Sequence, residues 1–508
     1  MELKGSFLQW PADRPLLTRT LALAAGVLYT AGFAPLGLSL LVVVVLVPLL
    51  YVFHTVSPRD AAAHGFWFGI GAFFSGTYWI YISVHGFGGA PWYVAVLLLV
   101  GLVLIMAGYL ALTGWLIARL SYGEHWLLLG VAPAAWVLIE WLRGWLFTGF
   151  PWLAVGYAHA DSWFAGWAPL FGVYGVSFMA VLTGTALLVA LLTRKRQRIV
   201  AAALAVLPFV VGGIAGRIEW TEADGPPLTA TLVQYGISQD LKWRDDMLRP
   251  TLDFYRSETL KARDSDIVLW PEVAIPSVND VMQPFIDQLA ADAGAAGQSL
   301  LFGILERESD RGEVRVYNSM FLVDGRKQQS YRKRHLVPYG EYFPVPDFMR
   351  ERFDMTFVPR TNLEPGADEQ PLLVHGTGTP LAVAICYEDA YGAEQLYALP
   401  DARLLINVSN DAWFGDSIAP MQHLQIARMR SIEAGRDTLR ATSTGISAFI
   451  DHRGELLESG AQFEPVVMTR QMQPRRGATP YVRVGNVPVV ALCILLLAGA
   501  WLRVRSSF

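Results

Sequence analysis

The chain has 508 residues, of which 53% are hydrophobic and only 17% are charged. A soluble protein normally carries roughly a quarter charged residues, so this composition favours a membrane protein. The net charge of −4 gives no reason to expect nucleic acid as a partner, and the two cysteines, Cys386 and Cys493, exclude a disulfide framework and a cysteine-rich metal site.

Apolar stretches of about 20 residues, the length that crosses a bilayer, dominate the chain up to residue 216. Seven spans are predicted near residues 15–34, 37–55, 64–84, 93–118, 126–146, 166–192 and 199–216, and an eighth over 487–502. The first span ends without a small-x-small cleavage pattern, so we expect a retained helix and not a signal peptide. The sequence therefore predicts a membrane domain over 1–216, a water-facing domain over 217–482, and a C-terminal helix with its tail over 483–508.

Lysine and arginine are distributed unevenly between the two sides of these predicted spans. One side receives the N-terminus, the basic cluster at 194–198 and the tail after residue 502, whereas the loop at 85–92 on the other side carries neither residue. Because loops rich in Lys and Arg remain in the cytoplasm, both termini are predicted to be cytoplasmic. The domain over 217–482 should then lie outside the cytoplasm.

Between residues 217 and 482, short apolar runs alternate with longer mixed segments, which predicts a layered α/β fold. Strands are predicted at 229–234, 265–270, 299–304, 316–323, 381–385 and 403–408 and as a pair through 438–450, and helices at 244–262, 280–295 and 421–435. The turn of the strand pair is assigned to Asp451-His452-Arg453-Gly454.

Three polar residues of this domain suit chemistry with a cysteine nucleophile. Glu272 follows the strand at 265–270, Cys386 follows the strand at 381–385, and Lys333 lies between them in a basic run. Ligand sites of open α/β sheets form where strands end, so we expect these side chains to meet. A carboxylate can take the proton of a thiol, and an ammonium can stabilise the oxyanion of an acyl-transfer intermediate.

Each of these residues, taken alone, also has an inert interpretation. A cysteine is often a small buried hydrophobic residue, and an acid after a strand can simply favour the start of the next helix. A basic run is usually a solvated face. Cys493, in the last predicted span, is expected to be inert. Cys386 differs because it is the only cysteine in a domain predicted to face an oxidising compartment, where an idle thiol is a liability.

The order of these motifs resembles the Glu–Lys–Cys pattern of the nitrilase, or carbon–nitrogen hydrolase, superfamily. The matching segments are Trp270-Pro271-Glu272, Tyr331-x-Lys333-x-His335, Cys386-Tyr387-Glu388, Tyr317-Asn318-Ser319, Gly340-Glu341 and Ser409 to Asp416. With seven spans before this set and one after it, the chain is similar to the bacterial apolipoprotein N-acyltransferase family over nearly its whole length. Tyr339 and Phe343 depart from the family pattern and affect the expected shape of the pocket, not the catalytic residues.

The resemblance implies a polytopic helical membrane domain joined to an α/β nitrilase-like sandwich of four layers, αββα. It implies that Glu272 is the general base for Cys386 and that Lys333 stabilises the thiolate and the oxyanion, the latter with the backbone N–H of Tyr387. Glu341 would orient Lys333. By the same resemblance, Glu388 has a supporting role, and Asn318, Trp243 and Trp413 are substrate or lid residues.

The resemblance also implies a reaction and a location. A fatty acyl chain would pass from a membrane phospholipid, through a thioester on Cys386, to the α-amino group of the N-terminal diacylglyceryl-cysteine of apolipoproteins. The enzyme would lie in the bacterial inner membrane with its catalytic domain in the periplasm, and no metal or organic cofactor is implied.

Two other classes of protein remain open from the sequence. A membrane-tethered amidase or nitrilase-type hydrolase would use the same three residues and pass the acyl group to water; the excess of spans argues against it. A transporter with an external binding domain should show charged or broken helices at mid-membrane, and the predicted spans contain few.

Overall fold

The structure, a computed structural model, describes residues 14–121, 123–310, 313–325, 327–342 and 363–506. Phe343 lies outside the described residues. The chain divides into two compact units, one containing residues up to 78, 93–218 and from 483 onward, and the other containing 79–92 and 219–482. The second unit is therefore discontinuous in sequence, because a segment from within the predicted membrane region belongs to it.

Long helices build the first unit, and each predicted span overlaps one of them. They are α1 (Pro15–Thr30), α2 (Ser39–Thr55), α3 (Pro58–Thr77), α4 (Trp92–Ser121), α5 (His125–Arg143), α6 (Ala168–Leu192), α7 (Lys195–Ala215) and the C-terminal helix Val487–Ser506. Among the described residues, five helices are long and apolar enough to cross a membrane, whereas α1 and α2 are shorter apolar helices. Helix α3 begins earlier than predicted because Ser57 caps it, its hydroxyl accepting the N–H of Asp60 at 3.2 Å.

Helices α1 and α3 of the first unit approach each other closely at two glycines. A Cβ on Gly26 would lie 2.1 Å from the carbonyl oxygen of Phe68, and a Cβ on Gly71 would lie 2.1 Å from that of Leu23. No side chain larger than hydrogen fits at either position. Small residues allow such backbone contact between apolar helices, which is the usual way that helices associate in a membrane.

Strands dominate the second unit. In chain order they are β1 (Thr221–Ala223), β2 (Leu228–Gln234), β3 (Ile267–Leu269), β4 (Ile275–Val278), β5 (Ser299–Asp310), β6 (Glu313–Val323), β7 (Gln328–Arg332), β8 (Leu373–Val374), β9 (Pro380–Ile385), β10 (Leu404–Ser409), β11 (Thr438–Thr442), β12 (Ala448–Ile450), β13 (Leu456–Ser459), β14 (Val466–Met472) and β15 (Arg475–Gly477). One sheet has the order β14-β2-β3-β5-β6-β7 with β4 also paired to β5, and another has the order β13-β12-β11-β10-β9-β8. Strands β1 and β15 form a separate antiparallel pair.

The two large sheets pack face to face. Their inner faces share one buried cluster, to which Leu269 and Leu301 contribute from one sheet and Val383 and Ile406 from the other. On the outer face of the first sheet lie two helices, α8 (Asp245–Lys261) and α9 (Asn279–Ala296), and on the outer face of the second lies α10 (Ala419–Ala434). The predicted four-layer αββα sandwich is therefore confirmed.

One predicted turn joins different strands from those expected. Strands β11 and β12 do pair antiparallel, Thr438 opposite Ile450, but the residues 443–447 connect them. Asp451 to Gly454 instead joins β12 to β13, with the Asp451 carboxylate accepting the N–H groups of Arg453 and Glu455. The assignment was wrong because both segments contain turn-forming residues, and the sequence does not reveal the short third strand.

Residues 79–92 contribute two short helical turns to the second unit, Trp79–Tyr81 and the π-helical Ile82–Phe87. The ring of Trp79 packs edge-on against that of Phe414, with centroids 4.8 Å apart. Gly415 lies so close that an added Cβ would come within 3.1 Å of Ile82. The segment thus packs against the turn that follows β10.

Candidate active site

The three predicted catalytic side chains lie just beyond the ends of strands from both sheets. Glu272 follows β3, Lys333 follows β7, and Cys386 follows β9. The Nζ atom of Lys333 is 3.3 Å from Oε1 of Glu272. Both side chains act electrostatically on the pKa of the Cys386 thiol, so the structure brings all three together as predicted.

The carboxylate of Glu272 is held by three donors. Its side chain is almost fully buried, and Oε1 accepts from the Asn318 amide at 2.7 Å as well as from Lys333. Oε2 accepts the backbone N–H of Asn410 at 2.6 Å. Because both oxygens are fixed by neighbours on different elements, the group is preorganised to exchange a proton with a nearby thiol.

Lys333 is 1% exposed and lies between two carboxylates. Its Nζ donates to Oε1 of Glu341 at 2.9 Å and to Oε1 of Glu272 at 3.3 Å. Burial alone would lower the pKa of Lys333, but Glu341 and Glu272 outweigh burial and hold that pKa above its ordinary value. The ammonium is therefore charged throughout the physiological range. Glu341 is itself fixed, since its Oε2 accepts the N–H of Val337 at 2.8 Å.

Cys386 opens a short 3-10 turn, Cys386–Ala390, with a backbone φ of +55°. Its side chain is partly buried. Burial raises the pKa of the thiol, and the charge of Glu272 raises it further, whereas Lys333 lowers it. The net direction is upward, so the resting group is a thiol and needs a base to become a nucleophile. Glu272 is the neighbouring carboxylate that can act as this base.

Glu388, buried two residues after Cys386, ties the turn to the segment that carries Lys333. Its Oε1 accepts from the Tyr331 hydroxyl at 3.0 Å and from the N–H of Arg334 at 2.7 Å, and its Oε2 accepts the N–H of Ile385 at 2.6 Å. Burial raises the pKa of Glu388, and the bonds from Ile385 and Arg334 oppose that shift. Glu388 thus positions the lysine and the cysteine relative to each other.

The remaining predicted residues lie in different surroundings. Asn318, expected to be a substrate or lid residue, lies inside the cluster, its amide donating to both Glu272 and Glu341. Trp243 is 50% exposed after the short helix Gln239–Lys242, and Trp413 is partly buried in the turn Asp411–Phe414. The Tyr387 ring packs edge-on against Tyr391.

Sequence reasoning missed Lys242. This side chain is 2% exposed, and its Nζ donates to the backbone carbonyl of Glu272 at 3.3 Å. Burial lowers the pKa of Lys242 to about 8. Gln239, in the same short helix, accepts from the Asn410 amide at 2.9 Å. The loop that carries Trp243 is thereby fastened to the Glu272 region at two points, and only the fold reveals this.

A buried carboxylate, ammonium and thiol at strand ends of an αββα sandwich define the carbon–nitrogen hydrolase class. A family model described as Carbon-nitrogen hydrolase matches residues 229–481, and one described as Apolipoprotein N-acyltransferase N-terminal domain matches residues 25–186. Among solved structures, a variant of an amidase from Nesterenkonia sp. AN1 is 17% identical, with 53% of this chain and 97% of that chain covered and a TM-score of 0.37. Among the residues that the structure describes, no group of three or more His, Cys, Asp or Glu could hold a metal ion.

Relatives similar over nearly their whole length identify the family. The apolipoprotein N-acyltransferase of Methylococcus capsulatus is 40% identical, with 96% of both chains covered. That of Nitrosomonas europaea is 42% identical over 94% of this chain and 96% of the relative, and that of Pseudomonas putida is 37% identical over 98% of both. The chain belongs to the apolipoprotein N-acyltransferase family. It is accordingly a membrane protein and an acyltransferase.

Proposed function

We propose that the chain moves a fatty acyl chain from a membrane phospholipid to the α-amino group of the N-terminal diacylglyceryl-cysteine of apolipoproteins. The observation that carries this proposal is the cluster of Glu272, Lys333 and Cys386 in a chain that also has membrane-length apolar helices. Membership of the family supplies the acceptor nitrogen, since its relatives are named for N-acyl transfer to apolipoprotein.

In the first half-reaction, Glu272 takes the thiol proton and the Cys386 sulfur attacks the ester carbonyl of the phospholipid. The carbonyl oxygen becomes an oxyanion, which the ammonium of Lys333 and the backbone N–H of Tyr387 stabilise. When the intermediate collapses, the carbon–oxygen ester bond breaks. The departing lysophospholipid alkoxide takes the proton from Glu272, and the acyl group remains as a thioester on Cys386.

In the second half-reaction, the free amine of the acceptor attacks the thioester carbonyl. Glu272 takes a proton from the nitrogen as the carbon–nitrogen bond forms, and Lys333 stabilises the oxyanion again. The carbon–sulfur bond then breaks, an amide is released, and the sulfur regains its proton from Glu272. Since both half-reactions use one site, ping-pong kinetics are expected.

We propose that Trp243 and Trp413 contact the lipid substrates. Both indoles are at least partly exposed, and each lies within four residues of a group bonded to Glu272. Amphipathic rings suit a boundary between an apolar chain and water. Apolar cover would also keep water from the thioester, so that transfer to the amine exceeds hydrolysis.

The decisive test of the proposed function is to incubate the purified protein with phospholipid and no acceptor. We expect a stable S-acyl adduct on the peptide that contains Cys386, detected by mass spectrometry. Hydroxylamine, or a peptide bearing an N-terminal diacylglyceryl-cysteine, should discharge the adduct, the peptide by forming an amide. Release of free fatty acid with neither adduct nor amide would instead support a hydrolase.

We also propose the division into a membrane domain over 1–216, a periplasmic catalytic domain over 217–482, and a C-terminal helix with a cytoplasmic tail over 483–508. The distribution of Lys and Arg supports this arrangement. Both termini would then lie in the cytoplasm of a bacterial cell, and the catalytic residues would face the compartment in which the acceptor lipoproteins mature.

Labelling of single cysteines tests this orientation. In a protein lacking its own cysteines, Ser330→Cys should react with an impermeant thiol reagent added to cells whose outer membrane is permeabilised. Gln197→Cys should react only after lysis. Both positions are exposed in the structure, so access is limited by the membrane and not by packing. Labelling in the opposite order would place the catalytic domain in the cytoplasm.

A further inference from the structure

A buried polar cluster lies behind Cys386 that the reaction above does not use. Its members are Ser409 at the end of β10, Asp411 in the following turn, His423 in α10 and Arg440 in β11. Each is almost fully excluded from solvent. Burying such groups is costly unless they are paired, so their convergence requires an explanation.

The carboxylate of Asp411 is the centre of this cluster. Its Oδ1 accepts from the Ser409 hydroxyl at 2.6 Å and lies 3.0 Å from Nδ1 of His423, and its Oδ2 accepts from Arg440 at 3.0 Å. Burial alone would raise the pKa of Asp411, but His423 and Arg440 outweigh burial and lower that pKa to about 2. Asp411 is therefore ionised under all physiological conditions.

One member of the cluster contacts the nucleophilic residue directly. Nε2 of His423 lies 3.2 Å from the backbone carbonyl oxygen of Cys386. Asp411, which lies 3.0 Å from the other ring nitrogen, thus supports the main chain of Cys386 through His423.

His423 bridges two acceptor groups. A carboxylate and a backbone carbonyl have no hydrogen to donate, and one ring nitrogen of His423 lies within hydrogen-bond distance of each. The ring therefore connects the carboxylate of Asp411 to the main chain of Cys386.

The backbone conformation of Cys386 needs support from neighbouring groups. A φ of +55° lies in the left-handed region, which residues with a Cβ adopt only when their surroundings hold them there. The N–H of Ile385 is held on one side of the turn by Glu388, and the carbonyl of Cys386 is held on the other by His423.

We propose that His423, held by Asp411, is a positioning residue for the nucleophile: it fixes the turn at Cys386 through the backbone carbonyl of that residue. The inference rests on the proposed function in taking Cys386 as the nucleophile.

The rate at which iodoacetamide alkylates Cys386 tests this inference without any lipid. In a Cys493→Ala background, we expect alkylation of His423→Leu, which cannot donate to the carbonyl of Cys386, to be about tenfold slower than that of the wild type. His423→Gln can still donate to that carbonyl and should restore most of the rate. Thioester formation from phospholipid should slow by about tenfold to a hundredfold in His423→Leu and recover in His423→Gln.

His375→Leu is the matched control. His375 is also a buried imidazole of the second unit, bonded to Ser299 at 2.7 Å, and it lies outside the cluster. Its variant should keep the wild-type alkylation rate. If His423→Leu also keeps that rate, and slows acylation no more than His375→Leu does, the inference is wrong.

Two further results complete the test. Should His423→Leu fail to fold, His423→Asn takes its place, because its shorter amide cannot reach both Asp411 and the carbonyl of Cys386; its alkylation should also be slow, and an unchanged rate would contradict the inference. Slower alkylation in a protein that never forms an adduct with phospholipid would support the inference and contradict the proposed function.

Discussion

Cys386→Ala should abolish acyl transfer while the protein still folds and inserts into the membrane. Without sulfur no thioester forms, and the loss should be about 10⁴-fold or more, as expected when a covalent nucleophile is removed. The side chain is only partly buried and alanine is smaller, so the destabilisation should be about 1 kcal/mol or less. Acyl transfer from phospholipid to a diacylated peptide measures the first effect, and thermal unfolding in detergent measures the second.

Cys493→Ala is the control for this experiment. Cys493 is buried in the C-terminal helix of the first unit, and replacing its thiol should leave transfer within about twofold of the wild type. Retained activity in Cys386→Ala would exclude a mechanism through this cysteine and, with it, the thioester.

Glu272→Gln should prevent the S-acyl adduct from forming. The amide has nearly the shape of the carboxylate but cannot take the proton of the thiol, whose pKa burial already raises. Its NH₂ group would also face a donor in either orientation: Lys333 and Asn318 at the position of Oε1, or the N–H of Asn410 at the position of Oε2. We expect at least a 10³-fold slower appearance of the adduct, followed by mass spectrometry of the Cys386 peptide.

Asp292→Asn provides the comparison for Glu272→Gln. Asp292 pairs with Arg256 at 2.7 Å and is only partly buried, in α9 outside the catalytic cluster. Loss of this ion pair should leave the rate of adduct formation within about twofold of the wild type. Wild-type adduct formation in Glu272→Gln would place the base elsewhere, and Glu341, the other carboxylate on Lys333, would be the next to test.

Several elements of the fold could be predicted because their signals are local. The apolar run of β9 and the amphipathic pattern of α8 each carry enough information to identify the element. The edge strands were missed for the opposite reason. Strand β14 has a weak pattern, and it is a strand because it pairs with β2, more than 200 residues earlier in the chain. Non-local pairing of this kind leaves little trace in the local sequence.

The same distinction separates the predicted from the unpredicted parts of the site. Glu272, Lys333 and Cys386 stand in recognisable motifs, and the structure brings them together. The N–H of Asn410, which bonds to Glu272, is a backbone group whose position does not depend on residue type. Lys242 lies in a polar stretch, where a lysine normally indicates a solvated surface, and only the packing of the loop makes it buried.

The discontinuity of the second unit has a consequence for anyone who wishes to produce its catalytic part alone. A fragment over 219–482 would lack residues 79–92, and the faces of Phe414 and Gly415 that pack against Trp79 and Ile82 would be exposed to water. Such a fragment should aggregate through this apolar face. A fusion that supplies residues 79–92 through a flexible linker is the truncation expected to remain monomeric.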